Sequence, residues 1–169
     1  MINTEPKGVM QKLTLNIYAW LMAVFFGAIL SETTILYPNI FYNVPDSLQE
    51  GMEFLKVIGP RQFFTFLGTI LIIVAVITNI INWENRHARI YLILSFALLF
   101  LFEFLFSVFY FWPRNQVMFV EGALVHPPDE LKRVAIEFQR GHIVRLAVAF
   151  AASVLAFFAV YRTGYTKHT

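Results

Sequence analysis

Long apolar runs set the pattern of this chain: Leu13–Leu36, Pro60–Ile81, Ile90–Trp112 and Gly141–Tyr161. About 20 apolar residues in a helix cross a hydrocarbon core of roughly 30 Å, so each run predicts one transmembrane span. The breakers agree with these limits. Tyr37-Pro38 closes the first run, Gly59-Pro60 opens the second, Pro113 stops the third, and Arg162 and Gly164 end the fourth. No internal repeat is present, and residues 1–169 read as a single four-helix transmembrane domain.

The polar connections refine that picture. Asn82–Arg89 is a tight hydrophilic turn, which makes the second and third spans antiparallel neighbours. Between Asn39 and Gly59, Asp46-x-x-Gln49 resembles a capping box, and Leu48, Met52 and Leu55 share one face. A short helix lying in the membrane interface is expected there. Pro127-Pro128 followed by Asp129-Glu130 reads as a helix start, and only Gly141 interrupts the run to Tyr161. The fourth helix is therefore expected to extend beyond the membrane. The predicted fold is an all-α transmembrane four-helix bundle with an interfacial helix and an extended fourth helix.

Composition supports lipid as the solvent. Charged residues are 14% of the chain, against about 25% in soluble domains. The absence of cysteine removes disulfides, thiolate metal sites, iron–sulfur clusters and dithiol redox chemistry. A net charge of +2 points to no nucleic-acid partner. The first run is too long for the apolar region of a cleavable signal and reads as a retained span. Lys7, Lys12, Arg86, Arg89, Arg162 and Lys167 lie on one side with the acids Glu5 and Glu84, hugging the helix ends. Lys56, Arg61, Arg114, Lys132, Arg133 and Arg140 lie on the other among more numerous acids. The positive-inside rule acts most strongly close to the helix ends, so both termini are expected in the cytoplasm, with a bacterial inner membrane as the setting.

Against this background Glu32, Glu103, His142 and Arg145 stand out, since an ionisable group at mid-membrane costs about 2.5–3.5 kcal/mol on the insertion scale. Counting along the helices puts Glu32 about 9 Å and Glu103 about 13 Å from the ends remote from the termini. His142 and Arg145 open the fourth span on that same side, where Arg61 and Gln62 begin the second. Leu131, Val134, Phe138, His142 and Arg145 follow helical spacing and predict one inward stripe. Glu103 and Ser107 stack at i, i+4, with Tyr110 further along. Gly27-x-x-x-Ser31 is a small-residue pair suited to close helix approach. Arg61 and Arg114 read as snorkelling helix-end residues, and Tyr37, Trp83, Trp112 and Tyr161 as belt anchors. Thr65, Asn79 and Asn16 suit interhelical hydrogen bonds or interface positions.

Several chemistries fit such a cluster. Glu32, Glu103 and His142 are a candidate single-metal set, because two carboxylates and an imidazole suit iron, manganese or zinc. A bundle-type di-iron site would need Glu-x-x-His motifs, which are absent. Bis-histidine haem is disfavoured, because His142 alone among the histidines lies in a span. Without a cofactor, a desolvated Glu can act as general base on an acidic aromatic substrate while Arg145 holds the anion formed. The bland alternative is mutual pairing that only sets helix register.

Pro113-Arg114-Asn115 after the third span, with His142-x-x-Arg145 opening the fourth, resembles the anthrone oxygenase-like family of small four-span membrane proteins. Phe138 stands at the aromatic position four residues before the histidine, where the family pattern has Trp. The Gly27 to Pro38 stretch is also similar. The resemblance implies a four-helix membrane fold, oxidation of anthrones to anthraquinones by molecular oxygen, and Asn115, His142 and Arg145 as site residues.

The readings that remain open are an oxygenase or related oxidoreductase acting on a lipophilic aromatic or quinone-like small molecule, a non-catalytic membrane subunit or assembly factor, and a small transporter. Expected partners are membrane lipids, a lipophilic ligand, and either further copies of the chain or a membrane complex.

Overall fold

The computed structural model describes residues 6–165, which places Glu5, Lys167 and His168 outside the described residues. It is helical, without a strand among those residues. Four helical stretches are long and apolar enough to cross a membrane: Lys7–Ile40, Pro60–Ile81, Arg86–Leu124 and Pro128–Thr163. The start of the first, the turn between the second and third, and the end of the fourth meet at one end, where Lys7 pairs with Glu84 and Asn85 donates to Thr163. The first span consists of α1 (Pro6–Ser31), a π-helical turn at Glu32–Leu36, and α2 (Tyr37–Ile40). Helix α3 (Asp46–Phe54) follows, then α4 (Pro60–Ile81) as the second span. The third begins as α5 (Arg86–Leu98), turns π-helical at Leu99–Leu105 and Ser107–Phe111, passes through α6 (Trp112–Asn115) and ends after a last π-turn at Gln116–Glu121. Helix α7 (Pro128–Tyr165) is the fourth.

Two prolines expected to end helices do not. The first span continues past Tyr37-Pro38, and the third runs twelve residues beyond the expected stop at Trp112, to Leu124. In both places the ladder shifts to i→i+5 bonding just before the proline: the Tyr37 amide donates to the Glu32 carbonyl and the Trp112 amide to the Ser107 carbonyl. Side chains then reach carbonyls around the disruption. Thr33 and Thr34 donate to Ile29 and Leu30, Asn39 to Ile35, Ser107 to Glu103, and the Arg114 guanidinium to Tyr110. Helix breakers are tolerated in lipid when side chains and π adjustments re-satisfy the backbone in this way. Gly122, at φ 58° and ψ −154°, finally turns the chain back, in a region open essentially to glycine alone.

Helix α7 is the hub, packing along both α1 and α5. Ala149, Ala152, Ala156 and Ala159 form a fully buried stripe on it that lets those neighbours approach closely. Leu15, Tyr18, Met22, Leu71 and Leu92 fill the half of the bundle nearer the termini. Tyr18 bonds Ser95 at 2.8 Å, and Ser95 donates onward to the Ala152 carbonyl at 2.7 Å, tying three spans together. The residues expected to make interhelical bonds instead serve their own helices: Thr65 donates to Arg61, Asn79 to Ala75 and Asn16 to Lys12. Gly27 and Ser31 also differ from expectation. Both are exposed, because Phe25, Ile29 and Glu32 occupy the buried face of that helix. Trp20, Phe66, Ile80 and other large apolar side chains point outward, as lipid contact requires.

At 38 residues α7 is about 57 Å long, well beyond the roughly 30 Å core. Its projecting turns bury Leu131, Val134 and Phe138 against Tyr37, Ile40, Leu48, Phe111 and Met118. The predicted stripe thus runs buried from Leu131 to Arg145, while Lys132, Arg133 and Arg140 are exposed. Helix α3 covers this end with Leu48 buried and Met52 and Leu55 partly so. Its start is tied by Ser47, which accepts from the Asn43 amide and donates to the Ile40 carbonyl, in place of the expected Asp46–Gln49 box.

Candidate functional site

Both buried carboxylates sit in π-helical segments, Glu32 at the first position of one and Glu103 within another. Such bulges re-aim side chains and occur often at functional sites. Glu32 and Glu103 are 5% and 7% exposed, Arg145 8% and His142 1%. Arg145 Nε donates to Glu103 Oε2 at 2.6 Å. The guanidinium also lies over three rings, with its carbon 5.0 Å from the centre of Phe64, 5.5 Å from Phe111 and 6.0 Å from Phe25. Those aromatic faces complement a cation that lipid could not solvate.

Tyr37 was expected as a belt anchor and instead belongs to the site. Its hydroxyl donates to Glu32 Oε1 at 3.1 Å, and its ring packs 4.4 Å from that of His142. Phe111 and Phe138 flank the same imidazole at 4.7 and 4.8 Å. Three polar atoms of the cluster have no protein partner: Glu32 Oε2, Glu103 Oε1 and His142 Nδ1. Buried polar groups are normally satisfied, and each orphan costs about 1–3 kcal/mol. All three orphans lie in one cluster, where they are open to hydrogen bonding.

Glu32, Glu103, His142, Arg145 and Asn115 all line one cavity of about 590 Å³. Its other walls are mostly aromatic and apolar, including Phe25, Phe64, Phe111, Trp112, Phe119 and Phe138. Ligand pockets of this kind run to about 300–1,000 Å³, largely apolar with a few polar groups. The cavity stops at Ile72 and Leu99, beyond which the packed half of the bundle closes it.

The candidate metal set is not assembled. Among the described residues no three His, Asp or Glu side chains lie where they could hold a metal ion, so Glu32, Glu103 and His142 do not converge as ligands. The reason lies in their partners. Glu103 is committed to a guanidinium that repels a further cation, and the imidazole of His142 is held between aromatic rings. Arg114, expected to snorkel, instead bonds Glu137 at 2.8 Å and lies 3.6 Å over the Tyr110 ring, locking the third span to α7. Trp83, Trp112 and Tyr161 are exposed, and Trp112 also lines the cavity.

No family model, curated protein or solved structure matches this chain. The site therefore rests on its own geometry.

The contributions of Tyr37, Phe64 and Phe111 were missed by sequence reasoning for a definable reason. Residues five apart differ by about 140° on an α-helix at 100° per residue, so Tyr37 and Glu32 do not share an α-helical face. The i→i+5 turn brings them together. Pro38, directly after Tyr37, was the available signal.

Proposed function

We propose that this membrane protein is an oxidoreductase of the anthrone-oxygenase kind, acting on a lipophilic aromatic molecule that carries an acidic C–H beside a carbonyl. The observation that carries the reading is the free oxygen of Glu32 and the caged guanidinium of Arg145 in one aromatic-walled cavity. Tyr37 binds one carboxylate oxygen of Glu32 and leaves Oε2 as the base. Proton transfer from substrate to Oε2 leaves an enolate, which Arg145 stabilises, aided by the low-dielectric surroundings. Molecular oxygen is the oxidant, and the overall change is CH2 + O2 → C=O + H2O. In this reading His142 Nδ1 and Asn115, which line the same cavity, orient the substrate's oxygens. The resemblance in Pro113-Arg114-Asn115 and His142-x-x-Arg145 supports the same reaction class, and the basic residues close to the helix ends near the termini support a cytoplasmic placement of both termini.

The test is oxygen uptake and quinone absorbance with an anthrone in lipid nanodiscs containing the purified protein. Glu32→Gln is expected to lower kcat by about 10²–10⁴-fold, the usual contribution of a positioned base. Turnover by the parent protein no faster than by empty discs would sink the proposal.

A non-catalytic membrane subunit is the second reading. The exposed Lys132 and Arg140 on the projecting turns of α7 favour it as a surface for an acidic partner.

A further inference from the structure

The cavity has an end and a side, and the two are built differently. Helix α3 covers the end that faces the polar loops, where Met52 and Leu55 line the cavity. The side lies between the second and third spans. Helix α4 packs against α5, but loses that packing where the third span turns π-helical beyond Leu98. Along the gap α4 presents Thr65, Gly68, Thr69 and Ile72, and the third span presents Phe104, Val108 and Trp112, all of them cavity-lining. Thr65, Thr69, Phe104 and Trp112 are also exposed.

Chemistry along the gap is suited to passage. The Thr65 and Thr69 hydroxyls each donate at 2.7 Å to a carbonyl of their own helix, so the gap makes no hydrogen-bond demand on what crosses it. Gly68 is the notch: a Cβ placed on it meets nothing within 4 Å. Polar demand begins only inside, at the orphan oxygens of Glu32 and Glu103.

We propose that the gap between α4 and the π-helical part of the third span is a lateral portal, through which a small aromatic lipophile dissolved in the bilayer enters and leaves the cavity. The portal rests on the reading of the cavity as a ligand site. Gly68 sets its width.

The experiment follows binding of a membrane-dissolved hydroxyanthrone by stopped-flow quenching of Trp112, with Trp20 and Trp83 replaced by Phe. Gly68→Phe, and independently Thr65→Phe, are expected to slow both association and release by about one to two decades. Gly68→Ala is expected to exchange at the parent rate. Gly27→Phe is the matched control, on an exposed glycine whose Cβ also meets nothing within 4 Å. Thermal unfolding midpoints verify that each variant is folded. Parent-like exchange in both Phe variants, or equal slowing by Gly27→Phe, overturns the portal while leaving the ligand site standing. No quenching in the parent overturns both. Phospholipid that co-purifies with the parent and is lost in Gly68→Phe assigns the gap to an acyl chain and likewise overturns the portal.

Discussion

Tyr37 donates its hydroxyl to Glu32 Oε1 at 3.1 Å from five residues further along the same helix, a contact that only a π-turn permits. It leaves Glu32 Oε2 without a protein partner.

Removing that donor tests its role. Tyr37→Phe keeps the ring against His142 and deletes one hydrogen bond, so the fold is expected to lose about 0.5–1.5 kcal/mol. A positioning role predicts a fall in kcat of about tenfold with KM little changed. Equal kcat in Tyr37→Phe and the parent, measured with the anthrone assay, would show that Tyr37 only packs.

The Glu103–Arg145 pair is expected to be costly to break and cheap to replace. Removing one buried partner strands the other, at about 3–5 kcal/mol, whereas a matched apolar pair is often neutral. Arg145→Met and Glu103→Leu should each lower unfolding stability in mild detergent by that order. The double substitution is expected to recover most of the loss. Additive losses in this cycle would mean that the ion pair is not coupled in the way its 2.6 Å contact implies.

Gly141 precedes His142 and lies under the ring of Tyr110. A Cβ there would run into that ring, and would lie 3.2 Å from Phe111 Cζ. Gly141→Ala is therefore expected to destabilise by about 1–3 kcal/mol through overpacking. Tyr110→Leu in the same chain should relieve part of it. Unfolding midpoints of the single and double variants decide the matter, and an undiminished Gly141→Ala protein would contradict the packing.

Outside the membrane, His126 links the end of the third span to the start of α7. Its two ring nitrogens face Glu121 and Glu130, and together these contacts require the protonated ring. The Glu121 hydrogen bond first, then that of Glu130, raises its pKa above the ordinary histidine value. A raised folded-state pKa gives stabilisation that is complete below the unfolded value and is lost as pH rises through the folded one. Unfolding of the parent and His126→Ala should therefore differ at about pH 5.5 and converge by about pH 8.5. A difference that grows with pH would contradict this sign.

Much of the architecture was legible because lipid demands apolar length. The Leu13, Pro60, Ile90 and Gly141 runs could only be spans, and the buried stripe from Leu131 to Arg145 followed from helical periodicity alone. Helix ends were less legible. Pro38 and Pro113 are breakers by local rules, yet in these spans i→i+5 turns and nearby Thr, Asn, Ser and Arg side chains re-satisfied the backbone.

The sequence by itself determined which ionisable residues had to turn inward, since Glu32, Glu103, His142 and Arg145 are too costly to leave in lipid. Only the tertiary structure decided how they are shared out. It gave Arg145 to Glu103, held His142 among rings, and left Glu32 with a free oxygen on a cavity. Burial cost is a property of one residue and its depth, and so can be read along a chain. Pairing depends on helix rotation and separation, which here are set by π-turns and by the packing of α7 against its neighbours.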